Sequence, residues 1–250
     1  MTRNYMAFPI STIQKKTICA KLIANMSTAS LPPIYSYGHQ LDTDPSVFGL
    51  LRDSSSFADD FDALRARLQE DGYLYLPGYL ERSDVLGVRE VLTDRLSEQG
   101  LLHSDYPSFE AVAHPEHRTA FKPELARENP KLQSLLYEGR LIHFYTELFG
   151  ESIRHYDYTW LRAVGPGKGT NPHCDLVYMG RGTKQHMTCW IPYGDVSFEL
   201  GGLMLLEDSH KKSDRLKNYL ERDVDDYCEN RPDHVEKAKN EKWVFSGTLS

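Results

Sequence analysis

The sequence lacks any long run of hydrophobic residues, because charged residues or glycines interrupt every apolar stretch. A transmembrane helix needs roughly 18 or more continuous apolar residues, so we expect a soluble protein without membrane insertion. Positive charge is also in deficit, with 29 Lys and Arg against 36 Asp and Glu and a net charge of −7. A nucleic-acid partner is therefore not expected, since it requires a basic surface.

Cysteine is scarce, with only four residues in the 250-residue chain. They are widely spaced, which excludes the disulfide framework of a small secreted domain and favours a reducing compartment. We therefore expect an intracellular protein and place it in the cytoplasm. These cysteines are Cys19, Cys174, Cys189 and Cys228.

Acidic residues are missing before Asp42, where a few basic residues stand among many Ser and Thr. This composition resembles a mitochondrial transit peptide, and it equally fits a disordered tail or a translation start at Met26 rather than Met1. We set residues 1–52 apart as this disordered or targeting-like tail. Residues 53–250 are long enough to form one folded domain.

Helical periodicity dominates the first part of that domain. A first amphipathic helix is predicted to end at Gly72, a second to begin at Ser83, and a third to span residues 131–149. A short strand over residues 73–76 separates the first two helices. Residues 100–130 are polar and rich in His and Pro, which predicts a long loop.

Short runs of β-branched and aromatic residues replace the helical pattern after Gly150. Helices followed by closely spaced strands indicate an α+β fold with an antiparallel sandwich or barrel. The charged stretch 211–242 is predicted to be a helix or loop over the barrel mouth, with another strand from residue 243. The earlier strands are predicted at residues 153–164, 176–179, 186–192 and 203–206.

The tripeptide His173-Cys174-Asp175 carries the pattern of a metal site. On an extended backbone, residues two apart project their side chains to the same face. An imidazole and a carboxylate, completed by a second His, form the facial triad that binds non-haem Fe(II) and leaves coordination positions open. With 10 His and 36 acidic residues, about one such pair arises by chance, and His155-Tyr156-Asp157 is a second one.

The surroundings of the two His-x-Asp pairs differ. His155 lies inside a strand-like run without a neighbouring glycine loop, which favours an ordinary strand residue. His173 follows the glycine-rich stretch 165–172, which is predicted to form a loop where metal and solvent can meet. The residues alone favour His173 without deciding between the pairs.

Three successive segments resemble the phytanoyl-CoA dioxygenase family. The family shows His-x-Asp, then a strand containing Trp, then a Gly-Gly-Leu segment that ends in Gly-Ser-His-Lys. The matching segments are 173–178, 188–192 and 201–211, with Asp208 standing where glycine is usual. Residues 70–78 are also similar to the family's opening strand, so the resemblance covers residues 57–250.

The resemblance implies a double-stranded β-helix, a cupin-like jelly roll, with the N-terminal helices packed on the barrel. It also implies Fe(II) as the metal, 2-oxoglutarate as cosubstrate and hydroxylation of a small-molecule or lipid-like substrate. His173 and Asp175 are then the metal ligands, and a carboxylate ligand favours hydroxylation over halogenation. The residues expected near the cosubstrate are Trp190, Thr188, Arg162, Cys174 and Lys122.

Each of these residues also has an ordinary structural explanation. Trp190 and Cys174 fit core packing, and Arg162 fits a surface salt bridge or a contact with an anionic substrate. His210 is the alternative third metal ligand. Its place in the Ser-His-Lys turn favours support of that loop through hydrogen bonds.

The chain lacks two features that the resemblance implies downstream, namely a second His ligand and an Arg that pairs with the distal carboxylate of 2-oxoglutarate. Only 75 residues follow Asp175. We expect that the chain is part of a longer protein, with the C-terminal strands missing. The rival hypotheses are a non-catalytic jelly roll without a complete triad and a cupin-type isomerase or lyase that does not use 2-oxoglutarate. The substrate and the oligomeric state stay open.

Overall fold

The structure is a computed structural model that describes residues 32–36, 39–116, 121–165, 172–179, 185–211 and 213–221. Its helices are α1 (Phe61–Asp71), α2 (Arg82–Glu98), α3 (Pro130–Tyr137), α4 (Gly139–Phe149), α5 (Leu176–Met179) and α6 (Ser213–Leu220). Short 3-10 turns are found at Ser55–Phe57, Ser108–Glu110, Pro123–Ala126 and Ser209–Lys211. No helix in the described ranges is long and apolar enough to cross a membrane.

The ends of the first helices follow local capping chemistry. The Asp60 side chain accepts a hydrogen bond from the Ala63 backbone N–H at 3.0 Å, which satisfies a free donor at the start of α1. Gly72 ends α1 in the left-handed conformation at φ +80, as its position after the last apolar residue predicted. Helix α2 begins at Arg82, one residue before the predicted Ser83.

The predicted single helix over residues 131–149 is wrong in one respect. It is two helices, because Glu138 adopts extended backbone at φ −135 and ψ 171 and Gly139 has φ +58. Glycine takes positive φ at little cost, so the chain can turn there before α4 begins. Helix α4 then ends at Gly150, as predicted.

Two apolar cores hold the described domain together. The larger one forms around α2 and includes Leu161, Ala163 and Tyr193 from the segments that follow α4. The smaller one lies between α1 and α4, centred on Leu64 and Phe144, with Met187 packed against it. The segments after residue 150 are therefore fixed to the helices by side chains that enter both cores.

Strands are short throughout the described residues. Strand β1 (Tyr35–Ser36) pairs antiparallel with β2 (His39–Gln40), and three isolated bridges join other segments. The predicted strands over 73–76 and 153–164 each contribute one bridge partner. These bridges are Asp53 with Tyr75, Leu102 with Ala113 and Phe121 with Arg162.

The predicted strand over residues 176–179 is wrong, because these residues form helix α5. Residues 186–192 and 203–206 are described without assigned strands. The described part of the chain shows helices and one two-stranded sheet, so the jelly roll stays a prediction. The strand predicted from residue 243, and the insertion beyond residue 221, lie outside the described residues.

The first 31 residues also lie outside the described part of the chain. From residue 32 onward, the stretch assigned to the tail has packed side chains. Ile34 and Phe48 are buried and contact Leu41 and Phe198. The segment before residue 53 thus meets the segment just before the Gly201–Gly202 pair.

Candidate metal centre

His173 and Asp175 converge in the structure. The Nε2 atom of His173 lies 3.0 Å from Oδ1 of Asp175, and the two side chains are 28% and 32% exposed. The Asp175 carbonyl accepts hydrogen bonds from the backbone N–H groups of Tyr178 and Met179, at 2.9 and 3.0 Å, which begins α5. The convergence was expected from a strand, but it occurs at the start of a helical turn.

Hydrogen bonding and charge keep the Asp175 carboxyl ionised. The hydrogen bond from His173 is the main influence that lowers the pKa of Asp175, and partial burial opposes it. A hydrogen bond from the Thr188 hydroxyl and the charges of His173 and His186 lower that pKa further. A carboxylate in this state suits a metal ligand, because the ionised form is the one that coordinates.

Three contacts orient this pair of side chains. The Tyr178 ring meets the His173 ring edge-on, with 5.8 Å between the ring centroids. The Cys174 backbone N–H donates to the Tyr219 hydroxyl of α6 at 3.1 Å, although 45 residues separate them. The Cys174 thiol is half-buried, and burial together with the neighbouring Asp175 charge raises its pKa.

The second His-x-Asp pair is arranged differently. Nδ1 of His155 lies 4.0 Å from Oδ1 of Asp157, and the Asp157 side chain is fully exposed. Nδ1 of His155 also lies 3.0 Å from the Tyr156 carbonyl oxygen, and its ring contacts Tyr137 at 4.3 Å. The 1 Å longer separation and the exposed carboxylate make this pair the poorer candidate for binding metal.

The residues expected near the cosubstrate are divided between two places. Thr188 lies against Asp175 and Trp190 is exposed on the same short segment. Arg162 instead lies over the Phe121 ring, with its guanidinium carbon 5.8 Å from the ring centroid. Lys122 is next to Phe121, and its Nζ atom lies 3.1 Å from Glu124 and 3.2 Å from Gln99.

His210 lies at the C-terminal end of α1. Its Nε2 atom is 3.4 Å from the Gln69 carbonyl oxygen, and its ring occupies the space that a Cβ atom on Gly72 would enter. Across the described ranges, no group of three or more His, Cys, Asp and Glu side chains is arranged to hold a metal ion. His210 therefore supports the turn at Ser209–Lys211 in this structure.

Four residues around the site were not predicted from the sequence: Tyr178, Tyr219, His186 and Tyr156. Tyr178 could have been found if α5 had been predicted, because residues three apart lie on one face of a helix. Tyr219 has no local sequence signal, since its contact with Cys174 spans 45 residues. Tyr156 donates from its hydroxyl to the Met179 carbonyl at 3.0 Å, which ties the segment before Arg162 to the end of α5.

The donor pair fits a divalent transition metal. Ligand atoms about 2.1 Å from a metal and at right angles to each other stand about 3 Å apart, and His173 Nε2 and Asp175 Oδ1 are 3.0 Å apart. Both side chains are partly exposed, so a hydrated ion can reach them. An imidazole nitrogen with a carboxylate oxygen supplies two of the three donors of the facial triad.

The family model for phytanoyl-CoA dioxygenase (PhyH) matches residues 68–245, which is well over half of the chain. The chain belongs to the phytanoyl-CoA dioxygenase family. The match includes the His173–Asp175 pair, Thr188, Trp190 and the Gly201–Lys211 segment, so it covers every part of the candidate centre. The resemblance read from the three sequence segments is therefore confirmed.

Curated relatives include two proteins named 1-deoxypentalenic acid 11-beta-hydroxylase. The one from Streptomyces exfoliatus is 28% identical over 180 residues, covering 65% of this chain and 59% of the relative. The one from Streptomyces arenae is 26% identical over 176 residues, covering 68% of this chain and 61% of the relative. The chain thus spans about three fifths of the length of these relatives. No solved structure matches the chain.

Proposed function

We propose that the protein is an Fe(II)- and 2-oxoglutarate-dependent dioxygenase that hydroxylates a small-molecule or lipid-like substrate. The observation that carries the proposal is the His173–Asp175 pair, with 3.0 Å between Nε2 and Oδ1, inside the segment that matches the family. The hydroxylase names of the two Streptomyces proteins support the reaction type.

The bound metal would supply oxygen activation, with 2-oxoglutarate oxidised to succinate and carbon dioxide as one oxygen atom enters the substrate. His173 and Asp175 would hold the ion. The Thr188 hydroxyl keeps the Asp175 carboxylate in place, and the Tyr178 ring limits rotation of the His173 imidazole. Such supporting contacts commonly change metal affinity or activity by about 10–100-fold when they are removed.

The backbone between the two ligands is also held. Because the Cys174 N–H donates to Tyr219, the peptide that separates His173 from Asp175 is tied to α6. Fixing this peptide limits how far the two ligands can separate when no metal is bound. Pre-positioned ligands lower the entropy that binding must overcome.

Anaerobic titration with Fe(II) and 2-oxoglutarate tests the proposal. The wild-type chain is expected to develop a weak visible charge-transfer band, and His173→Ala is expected to lose it. His155→Ala is the matched control, because it removes the other His of a His-x-Asp pair and should keep the band.

Succinate formation is the second measurement. Aerobic incubation with Fe(II) and 2-oxoglutarate should yield succinate with the wild-type chain and none with Asp175→Ala. Absence of both the band and succinate in the wild-type chain, and in a version extended downstream of Ser250, would contradict the proposal and favour a non-catalytic protein. Metal binding with turnover of a substrate but without succinate would favour the cupin-type isomerase or lyase.

A further inference from the structure

A row of exposed aromatic side chains runs from the candidate metal centre to Arg162. Tyr156, Tyr158 and Trp160 are 46%, 43% and 42% exposed. Tyr156 and Tyr158 both meet Trp160 edge-on, with centroid distances of 5.9 and 4.8 Å. The three rings thus form one connected surface rather than isolated exposed side chains.

The far end of this row carries a cation. The Phe121 ring, also exposed, contacts Tyr158 at 6.5 Å between centroids. The Arg162 guanidinium lies over the opposite partner in this contact, 5.8 Å from the Phe121 centroid. Phe121 and Arg162 are joined by a backbone bridge, so the cation and the ring are fixed relative to each other.

The near end of the row meets the metal centre. Tyr156 donates to the Met179 carbonyl, which is adjacent to the Tyr178 ring that contacts His173. Tyr156 also lies 6.0 Å from the His186 ring, edge-on. The aromatic row therefore begins beside the two proposed ligands and ends at Arg162.

The local packing explains why the rings face outward. Along residues 160–163 the exposed and buried side chains alternate, and Leu161 and Ala163 enter the core around α2. The opposite face of this extended segment then presents Trp160 and Arg162. A connected apolar patch of this kind commonly marks a binding surface, because exposed aromatic area is costly in water.

We propose that the aromatic row binds the apolar body of the substrate and that Arg162 binds an anionic group at its far end. The proposal rests on the proposed function, and it adds the substrate class: an extended apolar molecule with a carboxylate or a similar anion. The six residues from Tyr156 to Arg162 span at most about 20 Å. The reacting carbon would accordingly lie many bonds from the anionic group.

An arginine suits this position for two reasons. Its planar guanidinium can stack on Phe121 and still offer donors at its edge to a carboxylate. A hydrogen bond to a charged partner contributes about 1.5–3 kcal/mol, which corresponds to roughly a tenfold or greater change in affinity. Loss of the guanidinium should therefore be measurable in binding.

Calorimetric titration of the full 250-residue chain tests the proposal with decanoate and decanol as probes. The wild-type chain should bind decanoate more tightly than decanol. Arg162→Gln should weaken decanoate binding by about tenfold or more and leave decanol binding unchanged. Trp160→Ala should weaken the binding of both probes, because both share the apolar body.

Two matched controls separate this site from general effects. Arg140 also lies over an aromatic ring, with its guanidinium carbon 4.4 Å from the Tyr79 centroid, so Arg140→Gln makes the same charge change elsewhere. Tyr35 is 61% exposed and outside the row, so Tyr35→Ala matches the aromatic substitution. Both controls should keep wild-type affinity for both probes.

Four results would overturn the proposal. They are no binding of decanoate by the wild-type chain, unchanged decanoate affinity in Arg162→Gln, an equal loss in Arg140→Gln, and a lower melting temperature of Trp160→Ala with unchanged affinity. The last would show that Trp160 packs against the chain itself. Weaker binding of 2-oxoglutarate but not decanoate in Arg162→Gln would assign Arg162 to the cosubstrate instead.

The outcome is independent of the metal test. Decanoate binding is measured without Fe(II), whereas the proposed function is tested by the charge-transfer band and by succinate. A wild-type chain that shows the band but does not bind decanoate would refute only the substrate class. A chain that binds decanoate through Arg162 but shows neither band nor succinate would refute only the dioxygenase.

Discussion

Residues 53–150 and residues 151–221 differ in what their side chains do. All of the largest fully buried side chains that the structure describes lie in the first region, including Leu64, Leu92 and Leu132. The second region holds His173, Asp175 and the exposed aromatic row, with only short helices. The helical region therefore supplies the packing, and the second region supplies the chemistry.

The second region depends on the first for its rigidity. Leu161, Ala163 and Tyr193 pack in the core around α2, and Met187 packs between α1 and α4. The Arg89 side chain on α2 also donates to the Tyr193 carbonyl at 3.0 Å. A site can thus be built on backbone with little regular structure if the segments on either side of it are anchored.

The largest expected effect tests the packing role of the helical region. Leu92→Ala should lower the free energy of unfolding by about 2–5 kcal/mol, because Leu92 is fully buried and a cavity would remain. Leu203→Ala, at a 39% exposed position in the second region, should change it by no more than about 0.5 kcal/mol. Denaturant unfolding of both variants measures the contrast, and equal losses would remove the distinction between the regions.

The second prediction concerns the chemical role. Asp175→Ala should reduce succinate formation by more than about a hundredfold, beyond the usual effect of losing a supporting residue. Its melting temperature should stay close to wild type, since the Asp175 side chain is 32% exposed. Asp157→Ala is the matched control and should keep full activity. A large loss of stability in Asp175→Ala would make this residue structural instead.

Gly72→Ala tests a contact between the two regions. The new Cβ would overlap the His210 ring, and alanine at φ +80 costs a further 1–2 kcal/mol or so. Gly150→Ala, at φ +71 with open space around it, should show only the backbone cost. In a His210→Ala background the two glycine variants should become equally destabilising in urea unfolding. A persistent difference would mean that the ring is not the cause.

The smallest effect is expected at Asp208, where the family usually has glycine. Asp208 has φ +58, and its carboxylate pairs with Lys211 at 2.8 Å. Because Asp tolerates the left-handed region and an exposed ion pair contributes little, Asp208→Gly should change stability by less than about 1 kcal/mol. Asp208→Val should cost more, since β-branched residues fit this conformation poorly, and thermal unfolding of both would rank them.

Helix ends in the first region could be predicted because their signals are local. Gly72 and Gly150 follow the last apolar residue of a helical pattern, and the structure places a left-handed cap at each. The break at Glu138 was missed because apolar residues continue with helical spacing on both sides of it. Only the positive φ at Gly139 marks the interruption, and a glycine inside a helical pattern does not by itself require one.

The second region was harder to predict because its local preferences are overridden. Leu176–Met179 contains a β-branched and an aromatic residue, yet hydrogen bonds to the Asp175 carbonyl start a helical turn there. The convergence of His173 with Asp175 could be predicted from their spacing, although the backbone assumed was wrong. The Thr188 contact with Asp175 and the ring row near Arg162 depend on packing against the helices, which the spacing of residues does not reveal.

The hydrogen bond between Cys174 and Tyr219 has a consequence for how the family can diverge. It makes the spacing between these two residues a quantity under selection, even though the stretch between them is mostly polar. Insertions there would be tolerated only where they leave Tyr219 beside Cys174, whereas substitutions at exposed positions would accumulate freely. We therefore expect this stretch to drift in sequence faster than in length.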